Sequence, residues 1–182
     1  INVTRVNGSY EYPADFTLVW AMNPCPCWYL TDPDKDCICS SNQVKNYSSK
    51  LSGPLIDRID IFIEVPKVKT EKLQVSDDYW NRESSAIIKK KVVAARDKQI
   101  ERFASSKISS NSEMSTKEIN TYCHLDEESD TILKQAVVNM NLSARSYYRI
   151  LKLSRTIADL EWTENIQMWH ILEALSFRKK ES

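Results

Sequence analysis

Pro66 parts two stretches of chain that obey different periodicities. Ahead of it, apolar residues come in short runs fenced by turn residues. Residues 16–22 (Phe-Thr-Leu-Val-Trp-Ala-Met) are continuously apolar or nearly so and stop at Asn23-Pro24. That is the pattern of a strand buried on both faces of a parallel sheet. Residues 59–65 (Ile-Asp-Ile-Phe-Ile-Glu-Val) read as a second strand, ended by Pro66. Residues 3–12 alternate around Asn7-Gly8, a hairpin signal in which both turn positions take positive φ. Residues 43–47 suit a short helix, and Leu51-Ser-Gly-Pro54 breaks the chain.

After Pro66 the spacing turns helical. Residues 83–103 contain neither Gly nor Pro and predict a long helix rich in Lys and Arg, followed by a polar loop over 105–112. Ser115-Thr-Lys-Glu118 has capping-box spacing and opens a short helix. The next helix spans 126–139. Asp126, Glu127 and Glu128 lie in its first turn, favourable against the dipole, and Ile132, Leu133, Ala136 and Val137 follow at helical spacing. Ser143 can cap a helix reaching about Glu161, with Tyr147, Ile150, Leu151, Ile157 and Ala158 in one stripe. Residues 165–177 form the last helix. The expected fold class is α/β followed by all-α: an α/β piece over 1–70 and a helical bundle over 71–182.

Composition removes some functions. Charged residues make up 27% of the 182 and cancel to a formal charge of zero, so no whole-molecule field draws this chain to nucleic acid. Local clusters remain: Lys89-Lys-Lys91 with Arg96, Lys98 and Arg102 offers a basic helix face, though such faces are commonly just solvated. No run approaches the roughly eighteen apolar residues of a membrane span, and no signal pattern opens the chain. A cytoplasmic protein that does not enter the membrane is expected. Ile1-Asn-Val-Thr-Arg-Val6 reads as a strand already under way, so a fragment is expected as well.

Four features can bear chemistry. Asn23 stands at the carboxyl end of a buried strand, where open α/β sheets place ligands. An amide there can orient water against a phosphate without competing for its proton, but an Asn before Pro also simply makes a turn. Arg58, in Leu55-Ile-Asp-Arg-Ile-Asp60, could reach a neighbouring subunit's phosphate or merely pair with Asp57 or Asp60. Arg145 falls in the first turn after Ser143, where a cation opposes the helix dipole unless an anion binds there; Arg149 and Lys152 continue that face, which could equally be a solvated stripe. Cys25-Pro-Cys27 and Cys37-Ile-Cys39, nine residues apart, could close a tetrahedral zinc site, stay free or form disulfides. Cys123 stands apart as a core residue.

Taken together, Ala21-Met-Asn-Pro-Cys-Pro-Cys27, Leu51-Ser-Gly-Pro-Leu-Ile-Asp-Arg-Ile-Asp60 and the run from Leu142-Ser-Ala-Arg-Ser-Tyr-Tyr148 to Leu160 closely resemble the ComM/YifB family of magnesium-chelatase-like AAA+ ATPases. The resemblance covers essentially the whole chain. It implies the second half of a P-loop ATPase core followed by a helical lid. It further implies Asn23 as sensor 1, Arg58 as an arginine finger acting in trans and Arg145 as sensor 2 on the ATP phosphates, with Arg149 as a further candidate. The partners implied are Mg²⁺-bound ATP, further copies in a ring, expected to be a hexamer, and DNA undergoing branch migration. Two rivals predict other partners: metal insertion as in magnesium chelatase, or a non-enzymatic zinc and DNA-binding module.

The sequence departs from the family's pattern in two ways. No Gly-x-x-x-x-Gly-Lys-Ser/Thr loop occurs, so this stretch alone is expected to be inactive. Glycine is also scarce, 2 residues, while tryptophan numbers 5. Trp28, Trp162 and Trp20 stand where glycine is expected from the resemblance. A gene in which UGA specifies glycine, written out with UGA as tryptophan, would give this pattern. Ordinary drift is the other reading.

Overall fold

The computed structural model describes residues 1–14, 16–67 and 83–178, and the chain divides into two compact units, Ile1–Lys50 and Leu51–Ser182. The boundary expected near residue 70 lies outside the described residues.

In the first unit, β1 (Asn2–Arg5) and β2 (Gly8–Glu11) form an antiparallel hairpin with Arg5 opposite Gly8. Its two-residue turn is Val6-Asn7, one position earlier than Asn7-Gly8. Gly8 alone takes the positive φ, 143°, because as the first residue of β2 it absorbs the twist between turn and ladder. Helix α1 (Ser41–Ser48) starts at Ser40, whose side chain accepts the Gln43 N–H while the Gln43 side chain reaches back to the Ser40 N–H. That reciprocal pairing satisfies two of the donors a helix start leaves open.

The expected strand over 16–22 is not formed. Its apolar side chains stay in solvent, Phe16 at 62% and Val19 at 89% exposure, and β1–β2 is the only ladder among the described residues. The physical reason is that a strand exists by pairing. One covered on both faces needs neighbours on each side, and none is present among the described residues.

The second unit opens with α2 (Gly53–Ile56), where Gly53-Pro54 starts one helical turn instead of only breaking the chain. The strand expected over 59–65 is likewise unpaired: Phe62 N–H donates to the Phe177 carbonyl at 2.8 Å, and Ile63 and Val65 are exposed. The helical part follows the reading closely: α3 (Ser85–Arg102), a 3₁₀ turn (Asn111–Glu113), α4 (Thr116–Tyr122), α5 (Glu127–Asn139), α6 (Ala144–Leu160) and α7 (Met168–Ser176). Ser84, Ser115, Asp126 and Ser143 cap α3, α4, α5 and α6 with their side chains.

Helix α6 is the axis of the bundle. It packs against α7, α3, α4 and the 3₁₀ turn. Ile150, Leu151, Ile157 and Ala158 face a core that includes Leu133 of α5 and Ile171 and Ala174 of α7, with Cys123 at its edge and Tyr147 packed against it. Fully burying each large aliphatic side chain is worth about 1.5–3 kcal/mol. The first half of α3 lacks that support, since Ile87, Ile88, Val92 and Val93 are each about half exposed.

Helices α5 and α6 end in the same hydrogen-bond pattern. Leu142 N–H donates to the Val137 carbonyl and Asn141 N–H to that of Val138; Thr163 N–H donates to Ala158 and Trp162 N–H to Asp159. Both are Schellman motifs, whose residue after the cap takes left-handed backbone. At α5 that residue is Asn141, φ 47°; at α6 it is Trp162, φ 63°. Trp28 is the third left-handed non-glycine residue among those described, φ 75°, and Trp20 is not among them. No helix among the described residues is long and apolar enough to cross a membrane.

Candidate functional site

Two clusters stand out, one in each unit. In the first, Asn23 is exposed at the end of the unpaired 16–22 segment, two residues ahead of Cys25. The turn that follows brings the cysteines together: Trp28 N–H donates to the Cys25 carbonyl at 3.2 Å, and Cys25 is completely buried. Sγ–Sγ distances are 3.4 Å for Cys25–Cys27, 3.5 Å for Cys27–Cys37 and 3.7 Å for Cys25–Cys37, and with Cys39 all four sulfurs lie within 4.8 Å of one another. A tetrahedral zinc ion with Zn–S bonds of about 2.3 Å spaces its sulfurs by about 3.8 Å, so the set fits that ion. Without a cation, four thiols this close cannot all ionise. The Tyr29 backbone N–H holds Cys27 down at about 6, while loss of solvent pushes Cys39 up to about 12. Cys123 is a buried core thiol remote in sequence from the set, pushed up to about 11 by its burial.

In the second unit a cavity of about 810 Å³ is lined by Gly53, Asp57 and Arg58 from the segment around α2 and by Ser143, Arg145 and Ser146 from the start of α6, with Arg178 beside them. It thus gathers Arg58 and Arg145, 87 positions apart in the chain (145 − 58). Both guanidiniums are exposed, and neither makes a carboxylate pair among the described residues. Among the described residues, Arg58 donates to the Pro54 carbonyl, at 2.6 Å.

The neighbouring acids are engaged elsewhere. Asp57 accepts from Ser146 Oγ at 2.6 Å and Ser143 Oγ at 3.0 Å, and Arg178 Nη2 lies 3.7 Å away. The Ser146 hydroxyl foremost, with Ser143, Arg178 and Arg145, holds the Asp57 carboxyl below its ordinary range despite partial burial. Arg149 bonds the Asp60 carboxylate and the Arg58 carbonyl. The pairing of Arg58 with Asp57 or Asp60 that its spacing allows is therefore replaced by pairings with Arg178 and Arg149. Arg149 thus clasps this segment through Nη1, and it also lines a second cavity, of about 340 Å³, with Lys152 and Asp60.

Ser146 and Arg178 escaped sequence reasoning. Arg178 is 7% exposed and donates to the Ile59 carbonyl at 2.9 Å and to Ser146 Oγ at 2.9 Å. In the sequence it is the first of three basic residues after the last helix, indistinguishable from a solvated tail.

One unit thus carries a tetrathiol, and the other carries cationic side chains at a helix start and at a turn that lines the same cavity. Residues 82–178 match the family described as magnesium chelatase, subunit ChlI C-terminal, and residues 1–73 match magnesium chelatase, subunit ChlI. The chain belongs to this family. Among individual proteins it is 40% identical to the competence protein ComM of Haemophilus influenzae over 98% of its length, and 36% and 35% identical to the YifB proteins of Salmonella typhimurium and Escherichia coli. It is a magnesium-chelatase-like chain of the ComM/YifB kind. It spans about a third of the length of these relatives, 33% of ComM and 34% of each YifB.

Proposed function

We propose that this chain is the C-terminal part of a ring-forming, hexameric AAA+ ATPase of the cytoplasm. In that reading it completes a half-built P-loop core and supplies its helical lid. The observation that supports it best is the shared cavity: two exposed guanidiniums line one space at the N-terminus of α6, and among the described residues neither forms an ion pair with a carboxylate. Helix N-terminus and guanidinium both attract an anion, and planar guanidinium forks suit phosphate oxygens.

ATP and its Mg²⁺ would be held mainly by residues outside this chain, and this chain alone would not turn ATP over. Arg58 would reach the nucleotide of a neighbouring subunit and stabilise the charge that develops on the transferring phosphoryl group. Arg145 would contact the phosphates from the lid, and Asn23 would orient the attacking water. Arg149, paired with Asp60, would hold the finger segment and is the further candidate for a phosphate contact.

Cys25, Cys27, Cys37 and Cys39 would hold a structural zinc ion, which orders a loop that otherwise lacks a core of its own. The work done would be translocation along DNA and branch migration. Support for that part comes from the name of the Haemophilus relative, a competence protein, and from the basic face of α3. The family description favours a second reading, metal insertion into a porphyrin.

Replacing Arg58 by Ala in the full-length protein tests the motor reading. Loss of ATP turnover with nucleotide binding retained is expected; unchanged turnover would refute it.

A further inference from the structure

The segment that bears Arg58 is fastened to the helical bundle at four successive residues. Asp57 accepts the hydroxyls of Ser143 and Ser146, the Arg58 carbonyl accepts from Arg149, the Ile59 carbonyl accepts from Arg178, and the Asp60 carboxylate pairs with Arg149. The exposed Arg58 side chain takes no part in this fastening among the described residues and donates to the Pro54 carbonyl. Ser146 is 1% exposed and links the arrangement from beneath, donating to Asp57 and accepting from Arg178. Asp57 therefore lies against the positive end of α6, where a carboxylate is favoured by both the dipole and the open N–H groups.

We propose that Asp57 is a positioning residue that locks the Arg58 turn onto the start of α6, so that Arg58 and Arg145 are presented as one rigid pair. This rests on the reading of Arg58 as a finger. A side chain delivered into a neighbour's site works only within a narrow tolerance, and displacement by about 1 Å can cost about a hundredfold in rate. Asp57 touches neither substrate nor reacting atoms; its effect passes through Arg58.

The test uses the full-length protein with Asp57→Asn, Ser146→Ala and Arg58→Ala, singly and as Asp57→Asn with Arg58→Ala. Asp57→Asn and Ser146→Ala are each expected to lower kcat roughly ten- to hundredfold, leaving KM for ATP unchanged and lowering the unfolding temperature only modestly, with turnover measured well below it. In the Arg58→Ala background, Asp57→Asn is expected to lower the residual rate no further. Wild-type turnover in Asp57→Asn and Ser146→Ala, with Arg58→Ala inactive, overturns the positioning role and leaves the finger intact. An equal fall in both backgrounds overturns it too, because Asp57 would then act independently of Arg58. Full activity of Arg58→Ala removes the finger reading itself.

A separate observation supports a second inference. Trp162 occupies the left-handed position of a Schellman motif, and Trp28 the left-handed end of the first cysteine turn. Glycine is the residue these positions favour, since a Cβ is penalised there. Neither indole is repaid by burial: Trp28 is 66% exposed and Trp162 60%, the latter with only Lys98 Nζ over its ring at 4.5 Å. From these angles we infer that residues 28 and 162 are glycines in the protein as its cell makes it, encoded by UGA read as glycine. Trp20 lacks the backbone signature and is not included.

Mass spectrometry of the protein from its native source decides this. The tryptic peptide over 156–178 contains both Trp162 and the helical Trp169, so the second serves as an internal control. Glycine at 162 and 28 with tryptophan retained at 169, and UGA codons at 28 and 162, is the expected result. Tryptophan at either 28 or 162, or UGG in its codon, overturns the inference.

Discussion

The guanidinium of Arg102, the last residue of α3, meets the carboxylate of Asp159 on α6 side by side, with Nη1–Oδ2 at 2.8 Å and a second, parallel contact from Nη2. Asp159 is fully buried and also accepts from Asn111 Nδ2 at 2.8 Å and Arg155 Nε at 3.2 Å. One carboxylate thus joins the long helix, the 3₁₀ turn and the central helix. Replacing Asp159 by Asn leaves two guanidiniums short of their counter-charge, one of them nearly buried. A loss of about 3–5 kcal/mol in urea unfolding is predicted, as for other broken buried pairs.

Stability should also fall in acid. Burial raises the Asp159 carboxyl, but Arg102, Asn111 and Arg155 outweigh it and hold the group below its ordinary value of 3.8; Ser146 and its neighbours do the same for Asp57. A carboxyl depressed in the folded state stabilises fully above its unfolded pKa, and that contribution drains away as pH falls through the folded value. Unfolding free energy should therefore be level above about pH 5 and decline below about pH 4. In Asp159→Asn the decline should be shallower, as followed by circular dichroism across that range.

The tetrathiol predicts metal content. Protein purified without chelator should contain about one zinc per chain, and Cys25→Ser or Cys39→Ser should lower that content sharply. Less than about half an equivalent in the unaltered protein would count against the site.

The two Schellman ends allow an internal comparison. Trp162→Gly relieves a left-handed position that an L side chain occupies at a cost of about 1–2 kcal/mol, offset by loss of the Lys98 contact, worth about 0.5–1 kcal/mol. A net gain of up to about 1.5 kcal/mol in unfolding free energy is predicted. Asn141→Gly should gain less, because Asn tolerates this backbone.

The helical half was legible because its signals are local. Ser115 with Glu118, Asp126 with its following acids and Ser143 with its apolar stripe each fix a helix within a few residues. The 16–22 and 59–65 runs were legible as apolar but not as unpaired, since pairing depends on partner strands, and among the described residues only β1 and β2 pair. Within the site, the cysteines and Arg58 with Arg145 were visible through spacing and motif. Ser146 and Arg178 were not: their roles arise only when the ends of α6 and α7 fold back onto Asp57 and Ile59, contacts 89 and 119 positions apart.

The claim at the centre is that Arg58 completes a nucleotide site on another subunit, and complementation tests it most directly. Full-length protein carrying Arg58→Ala and full-length protein with a disabled P-loop should each be inactive alone. Mixed in equal amounts, they should regain ATP turnover, because about a quarter of randomly assembled interfaces would pair an intact P-loop with an intact Arg58. Turnover that stays absent in verified mixed rings, or an Arg58→Ala protein already active by itself, would contradict the account.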